Sequence, residues 1–367
     1  MEIKAMRNNF NKSTIYNIVF LVFICILCIG CLPHKQNTQQ QPAPIIVYDS
    51  LKRQIILEKP LTRVVIANAY NVDLTEMVDA IGALDTIVGI DQNILWNNIA
   101  FHDKFNKNQL ICAREGLALN YEKIIETRPQ ALLISSKGSW SDAHKKLSKF
   151  GIKVIVIDTH DLEQFSTNCD LLGKIFGKEK KANEIKLFFE EKLNYVKKQL
   201  SDIENRKTVY FECGGPGATT MPGSYFYSLV KYTGGINIMD DAVERHVVPE
   251  SIVLRNPEYI IKMSDRRWKY SYIPPTLTEH KLIKQEMLSR PGWDEITAVK
   301  KNNIFQLSFF AHSGASKIIG VLYVAKYLYP EYLPDLHPEK IFEIWLTKYL
   351  KLKYLPGHTY PAMSPDY

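Results

Sequence analysis

The chain has 367 residues, a formal net charge of +7 at pH 7, 46% hydrophobic and 23% charged residues. That apolar content suits two globular domains of ordinary size and excludes a disordered chain. The positive charge is spread along the chain, and no zinc-finger, basic-zipper or RNP-like pattern occurs, so nucleic acid is not an expected partner.

The N-terminus reads as a targeting segment over residues 1–30. Lys4, Arg7 and Lys12 form a positive stretch before the uncharged run IYNIVFLVFICILCIG. That run is about 16 residues, short for a membrane span. It ends in small Gly30 before Cys31, and a polar, Gln-rich tract follows. Gly-Cys at the end of such a run resembles the lipobox of bacterial and archaeal lipoproteins. The resemblance implies that Cys31 becomes the lipidated first residue of an extracytoplasmic protein anchored to the cell membrane. The Leu usual three positions earlier is replaced by Cys28, with Leu27 one place before it. Residues 31–44 then form the lipidated end and a polar linker. Cys112, Cys169 and Cys213 remain without CxxC spacing and read as small buried residues with at most one bridge.

Residues 45–176 are predicted to form a first α/β lobe. Two short strands around a turn precede the strand Arg63–Ala67, and a helix follows with Leu74, Met77, Val78 and Ile81 on one face and Gly82 as its stop. After the short strand TIVGID, a helix enters at Asn120, ends at Pro129 and leads into the strand Ala131–Ser135. Strands alternating with helices of about 10 to 15 residues predict a parallel sheet covered on both faces.

Residues 177–203 read as one long helix. Ala182, Ile185, Phe189, Leu193, Val196 and Leu200 share a face while Lys and Glu fill the other. Residues 204–355 then repeat the pattern as a second lobe with terminal helices. Glu122 and Glu250 each precede a proline by seven residues (Pro129, Pro257), and an apolar strand follows each proline. The tail, residues 356–367, is rich in Pro and Tyr and is expected to be loosely ordered.

No nucleophile elbow, P-loop, HExxH helix or Rossmann fingerprint occurs. His160, His246, His280 and His312 fall in separate segments without metal-ligand spacing and read as solvated loop histidines. In doubly wound sheets ligands bind beyond the carboxyl ends of the strands. That rule selects Asn68, Tyr70, Trp96, Arg114, Lys137, Trp140 and His160 from the first lobe. From the second it selects Tyr225, Tyr227, Arg245, His246, Arg266, Arg267, Trp268 and His312. Arginine forks suit carboxylate, catecholate or phosphate oxygens, and aromatic faces suit a flat or bulky ligand.

The order of these features, from the lipobox through DSLKRQIILEKPLTRVV, NYEKIIETRPQALLIS, GGINIMD and VPESIVLRNPEYIIKMS to WDEITAVKKNNIFQL, resembles the class III substrate-binding proteins of ABC importers, across residues 45 to about 330. The resemblance implies two doubly wound α/β lobes joined by a single long bridging helix, with the ligand in the cleft and a small hinge motion. It also implies that Glu122 and Glu250 dock onto arginines of the membrane permease. Lys52 stands where the family often has Gly, an exchange expected to be neutral. Asn68-Ala69-Tyr70 replaces a commoner Ser-Pro and bears on ligand choice.

The resulting expectation is a monomeric, membrane-anchored receptor with no catalytic residue, resident metal or cofactor. It would carry a metal chelate, an Fe(III)-siderophore first of all, to an importer permease and its ATPase. A corrinoid, haem or an oxyanion such as molybdate is the alternative ligand. A surface enzyme or metallochaperone of chelatase type is the alternative of another class.

Overall fold

The computed structural model describes residues 43–67, 72–97, 99–111, 118–224, 226–264, 272–312 and 314–363. The first elements are strands β1 (Ile45–Tyr48), β2 (Gln54–Leu57) and β3 (Val64–Ile66), helix α1 (Val72–Ala80), strand β4 (Ile87–Ile90) and helix α2 (Gln92–Asn97). Helix α3 (Tyr121–Glu126), strand β5 (Ala131–Ile134), helix α4 (Trp140–Leu147), strand β6 (Lys153–Val156) and helix α5 (Phe165–Phe176) complete the first lobe. β3 to β6 form a four-stranded parallel sheet in the order β4-β3-β5-β6. β1 and β2 pair as an antiparallel hairpin beside it.

Helix α6 (Glu179–Gln199) follows. Its 21 residues span roughly 32 Å at 1.5 Å per residue. The turn before it depends on two glycines. Gly177 takes the left-handed conformation, φ +62°, that ends α5. At Gly173 an added Cβ would lie 2.9 Å from Cβ of Ala182, so glycine lets α5 and α6 approach closely. Ala182, Ile185, Phe189, Val196 and Leu200 are buried as their spacing predicts, and Leu193 is partly buried against the same core.

The second lobe repeats the first. Strand β7 (Thr208–Glu212), helix α7 (Ser228–Lys231), strand β8 (Ile236–Asn237), helix α8 (Pro249–Arg255) and strand β9 (Tyr259–Met263) come first. Helices α9 (Leu277–Leu288) and α10 (Thr297–Lys300) and strand β10 (Ile304–Leu307) follow, then helices α11 (Gly314–Leu328) and α12 (Pro338–Ile344) and strand β11 (Thr359–Tyr360). The sheet order is β8-β7-β9-β10-β11. Its parallel strands therefore run second, first, third, fourth in chain order, as β3 to β6 do in the first lobe. The repeat seen in the Glu…Pro…strand pattern is a repeat of topology. α3 and α8 occupy equivalent positions, each leading into the third strand of its sheet.

Strand side chains alternate between two layers, as the two-residue period requires. Val65, Leu132, Ile134, Val154 and Val156 face α3 and α4 in one cluster. Tyr210, Ile260 and Ile304 face α8, α9 and α10 in another. The opposite faces, through Ile66, Leu133, Ile155, Phe211, Ile261 and Phe305, share a single continuous core with α6 and α11. Both sheets are thus covered on both sides, and the lobes have one apolar core in common. Phe189 of α6 packs edge-on against Phe165 of the first lobe at 5.6 Å and Trp345 of the second at 5.4 Å. Residues 44–367 form one compact unit.

Three expectations are corrected. Residues 356–363 of the tail are not loose: β11 pairs antiparallel with β10, and His358 is 1% exposed. Its register with Gln306 and Leu307 explains why, since β10 would otherwise leave an open edge. His280 is not a solvated loop residue. It lies in α9, 2% exposed, with its ring nitrogens 2.9 Å from Gln306 Oε1 and 3.0 Å from the Gly357 carbonyl. Lys52 is not a neutral exchange for Gly either. It holds φ +62° in the hairpin turn, where a non-glycine residue costs roughly 1–2 kcal/mol.

Candidate functional site

In both lobes the carboxyl ends of the parallel strands carry polar residues. After β5 and β6 of the first lobe, Asp158 accepts from the Ser135 hydroxyl at 2.7 Å and the Ser136 N–H at 2.8 Å, and its own N–H donates to Ser50 Oγ at 2.9 Å. His160 Nδ1 stands 3.9 Å from Asp158. Burial lowers the His160 pKa and the positive charges of Lys317 and Lys137 add to that, while Asp158 pulls the other way. Lys137 is exposed in the turn after β5. Lys137 and His160 therefore share one rim, with Asp158 beneath them. Trp140 opens α4, half-buried, with the Arg53 guanidinium 4.8 Å above its ring. That contact gives Trp140 a packing role.

In the second lobe, β7 ends in Glu212, which is fully buried. Its carboxylate pairs with Lys262 Nζ of β9 at 2.8 Å and with Arg290 Nη1 at 2.7 Å, and it accepts from Tyr210 and from the Gly217 N–H. Burial opposes the Arg290 charge, but the bonds and charges of Glu212 and Glu286 raise its pKa above the ordinary value. The Lys262 ammonium also donates to the Gly214 carbonyl, so the triad fastens the Gly/Pro-rich loop that follows β7. Arg245 and His246 are exposed beside that loop: the Arg245 carbonyl accepts from the Thr219 N–H at 2.8 Å, and its guanidinium lies 3.5 Å from Cys213 Sγ. Burial raises the Cys213 thiol pKa despite that guanidinium. Tyr227 is half-buried, and burial with a bond to Asp240 raises its pKa.

A pocket of about 290 Å³ opens at the carboxyl ends of β9 and β10. Ser264 and Ser308, the residues just after those strands, lie in its wall with Ile273, Pro274, Pro275 and Phe309. Thr276 and Glu279, which cap the start of α9 reciprocally, close one side. Strand ends, apolar walls and a few fixed polar groups are the usual make-up of a small-molecule site in this kind of sheet.

Where the lobes meet, the contacts are buried and polar. Lys317 of α11 donates to the His160 carbonyl at 2.6 Å. Burial pushes its pKa down to about 7, against the pull of Asp73 and Asp161. Ser316 donates to Glu76 of α1 at 3.3 Å. On a more exposed edge, Lys231 and Tyr232 reach Glu163 at 2.8 and 3.0 Å.

Glu122 and Glu250 sit in the first turns of α3 and α8, both exposed. Asn120 caps the first of these helices, and Pro249 opens the second. Among the described residues neither glutamate has an ion-pair partner. Around Glu250, Val248 and Leu254 are 64% and 87% exposed.

Several candidates lie outside the described residues: Asn68, Tyr70, Arg114, Tyr225, Arg266, Arg267 and Trp268. Trp96 and His312 are placed by backbone only, in α2 and in the turn Phe309–His312. Sequence reasoning missed Asp158, Glu212, Ser264, Ser308 and Lys317. The strand-end rule could have found the first four, which terminate strands or follow them within two residues. The candidate list favoured large cationic and aromatic residues a few positions further on.

The sequence pattern of the periplasmic binding protein family matches residues 68–309 of this chain. An uncharacterised ABC transporter substrate-binding lipoprotein of Bacillus subtilis, YvrC, is 24% identical over 78% of this chain and 86% of its own length. The petrobactin-binding protein YclQ of the same organism is 23% identical over 50% of this chain and 59% of its own. The solved structure of the molybdate-binding protein MolA of Haemophilus influenzae superposes with a TM-score of 0.65 at 17% identity, covering 85% of this chain and 99% of its own. The chain belongs to the periplasmic binding protein family, a family of solute-binding transport proteins and not of enzymes.

Proposed function

We propose that this protein is a lipid-anchored extracytoplasmic receptor that captures a metal chelate, an Fe(III)-siderophore in the first instance, and delivers it to an ABC importer. The observation that carries delivery is the placement of Glu122 and Glu250 at equivalent points of two repeated lobes, exposed and without an ion-pair partner among the described residues. An acid in a helix's first turn gains only about 0.3–1 kcal/mol from the helix dipole. Such a small internal role leaves both carboxylates available to a partner bearing paired cations, as the importer's permease is expected to do. The N-terminal run ending in Gly30-Cys31 supports the anchor, and the likeness to the lipoprotein YvrC agrees with it. The ATPase of such an importer stays on the far side of the membrane. The receptor works as a monomer, since each lobe supplies one docking acid.

A chelate is favoured by the pocket's apolar walls of Ile273, Pro274, Pro275 and Phe309, which suit an organic ligand. The petrobactin-binding relative agrees with that choice. An oxyanion ligand is the second reading, favoured by the likeness to the molybdate-binding MolA. The two part in an uptake experiment. Cells lacking this protein should lose uptake of a radioactive ferric chelate and regain it on complementation, with molybdate uptake unchanged. Loss of molybdate uptake alone would overturn the chelate reading.

A further inference from the structure

The pocket behind β9 and β10 has an unusual back wall. Both sheets share one parallel topology, but only the second adds β11, the antiparallel strand formed by the tail. That strand does more than cover an edge. The Ser308 N–H donates to the His358 carbonyl at 2.8 Å, and the Ser308 hydroxyl lies 2.7 Å from His358 Nδ1. A Cβ added at Gly357 would lie 3.6 Å from the Pro274 ring, which with Pro275 lines the same pocket. The tail thus holds the pocket wall at Ser308 and runs beside the two prolines.

The chemistry at Ser308 follows from its partner. His358 is enclosed by Phe310, Phe342 and Tyr354, with ring centroids at 5.3, 4.9 and 6.2 Å. Burial, helped by His280, holds its pKa down to about 3, so the ring is neutral at physiological pH. Among the described residues its buried Nε2 has no hydrogen-bond partner. Of the two tautomers, one leaves a bare N–H in that aromatic cage and the other leaves a bare lone pair. A buried unsatisfied donor is the rarer of the two in proteins. With the proton on Nδ1, the ring donates to Ser308 Oγ. Serine then keeps its own O–H as a donor free to turn into the pocket.

We propose that the C-terminal tail builds a ligand subsite in the second lobe, in which His358 fixes the Ser308 hydroxyl as a hydrogen-bond donor to a carbonyl or hydroxamate oxygen of a chelate arm lying against Ile273, Pro274, Pro275 and Phe309. This rests on the chelate-receptor reading and narrows it to ligands with organic arms bearing hydrogen-bond acceptor oxygens. A compact oxyanion has no use for the apolar walls. His358 is a positioning residue, and Ser308 is the contact.

The test is a binding titration of residues 44–367 with a ferric trihydroxamate, a ferric tricatecholate and molybdate, for the wild type and for Ser308→Ala, His358→Phe, His358→Gln and the double variant S308A/H358F. Loss of one neutral hydrogen bond predicts that Ser308→Ala binds the trihydroxamate about five- to tenfold more weakly. His358→Phe should lose a similar factor, and the double variant no more than Ser308→Ala alone. His358→Gln, whose amide can donate to Ser308, should recover most of the affinity. A purely structural histidine would give losses that multiply in the double variant and no recovery with Gln, and that result overturns its positioning role. Wild-type binding of the trihydroxamate with no change in Ser308→Ala overturns the subsite and leaves the receptor reading standing. Wild-type binding of molybdate and neither chelate overturns both.

Discussion

Replacing Glu212 by Leu is expected to lower the stability of the folded protein by about 3–5 kcal/mol, the usual cost of leaving a buried charge without its partner. Here two charges would be left. Lys262 and Arg290 both close on Glu212 within 2.8 Å, and their side chains are only 6% and 12% exposed. Without the carboxylate they would repel each other beside the carboxyl end of β7. The Gly217 N–H and the Tyr210 hydroxyl would also lose an acceptor. Urea unfolding measures the loss. Replacing all three charges together, Glu212→Leu with Lys262→Met and Arg290→Met, should recover most of it, because the cost lies in the unpaired charges and not in the absence of the triad. A drop below about 1 kcal/mol for Glu212→Leu alone would show that the triad is solvated and plays no such part.

The double replacement Glu122→Ala and Glu250→Ala is expected to cut chelate delivery by tenfold or more, roughly, while ligand affinity stays within about twofold of the wild type. Both side chains are exposed, neither pairs within the described molecule, and neither helps to line the pocket at the ends of β9 and β10. Truncation should therefore leave the binding site intact. Close charge pairs across protein interfaces show coupling energies of about 1.5 kcal/mol and upward, so losing two gives a large effect on delivery. Each single variant should fall between. Tracer uptake by complemented cells gives delivery, and titration of the purified variants gives affinity. Unchanged uptake in the double variant would remove these two acids from the docking role.

Much of the fold was legible because its signals are local. The one-face spacing from Ala182 to Leu200 fixes α6, Asn120 and Pro129 bracket α3, and the matched Glu…Pro…strand runs betray the repeat that the strand order of the two sheets displays. The tail was misread because its order is not local. Nothing in HTY announces a strand; it becomes one through hydrogen bonds to β10, about fifty positions earlier in the chain. His280 was misread for a similar reason, since its partners Gln306 and Gly357 are distant in sequence. Lys52 shows the reverse case, a turn whose need for a left-handed residue is local but is not written in the residue that fills it.

The site was less legible than the fold. The strand-end rule names a region, and within that region residues were chosen by size and charge. Buried polar side chains order that region: Asp158 organises one rim, Glu212 anchors a loop, and Ser264 and Ser308 lie in the pocket wall. Lys317 could not be found from sequence at all, because it lies near the start of α11, a helix buried along most of its length, and meets the first lobe only in three dimensions.

The central claim, reversible capture of a metal chelate, is tested most directly by titrating residues 44–367 with ferric chelates while following tryptophan fluorescence, then recovering the ligand. The account predicts saturable quenching by a ferric chelate, a single class of site per chain, and a ligand released chemically unchanged. Saturable binding of molybdate with no response to any ferric chelate, or recovery of a ligand that has lost or exchanged its metal, would contradict it.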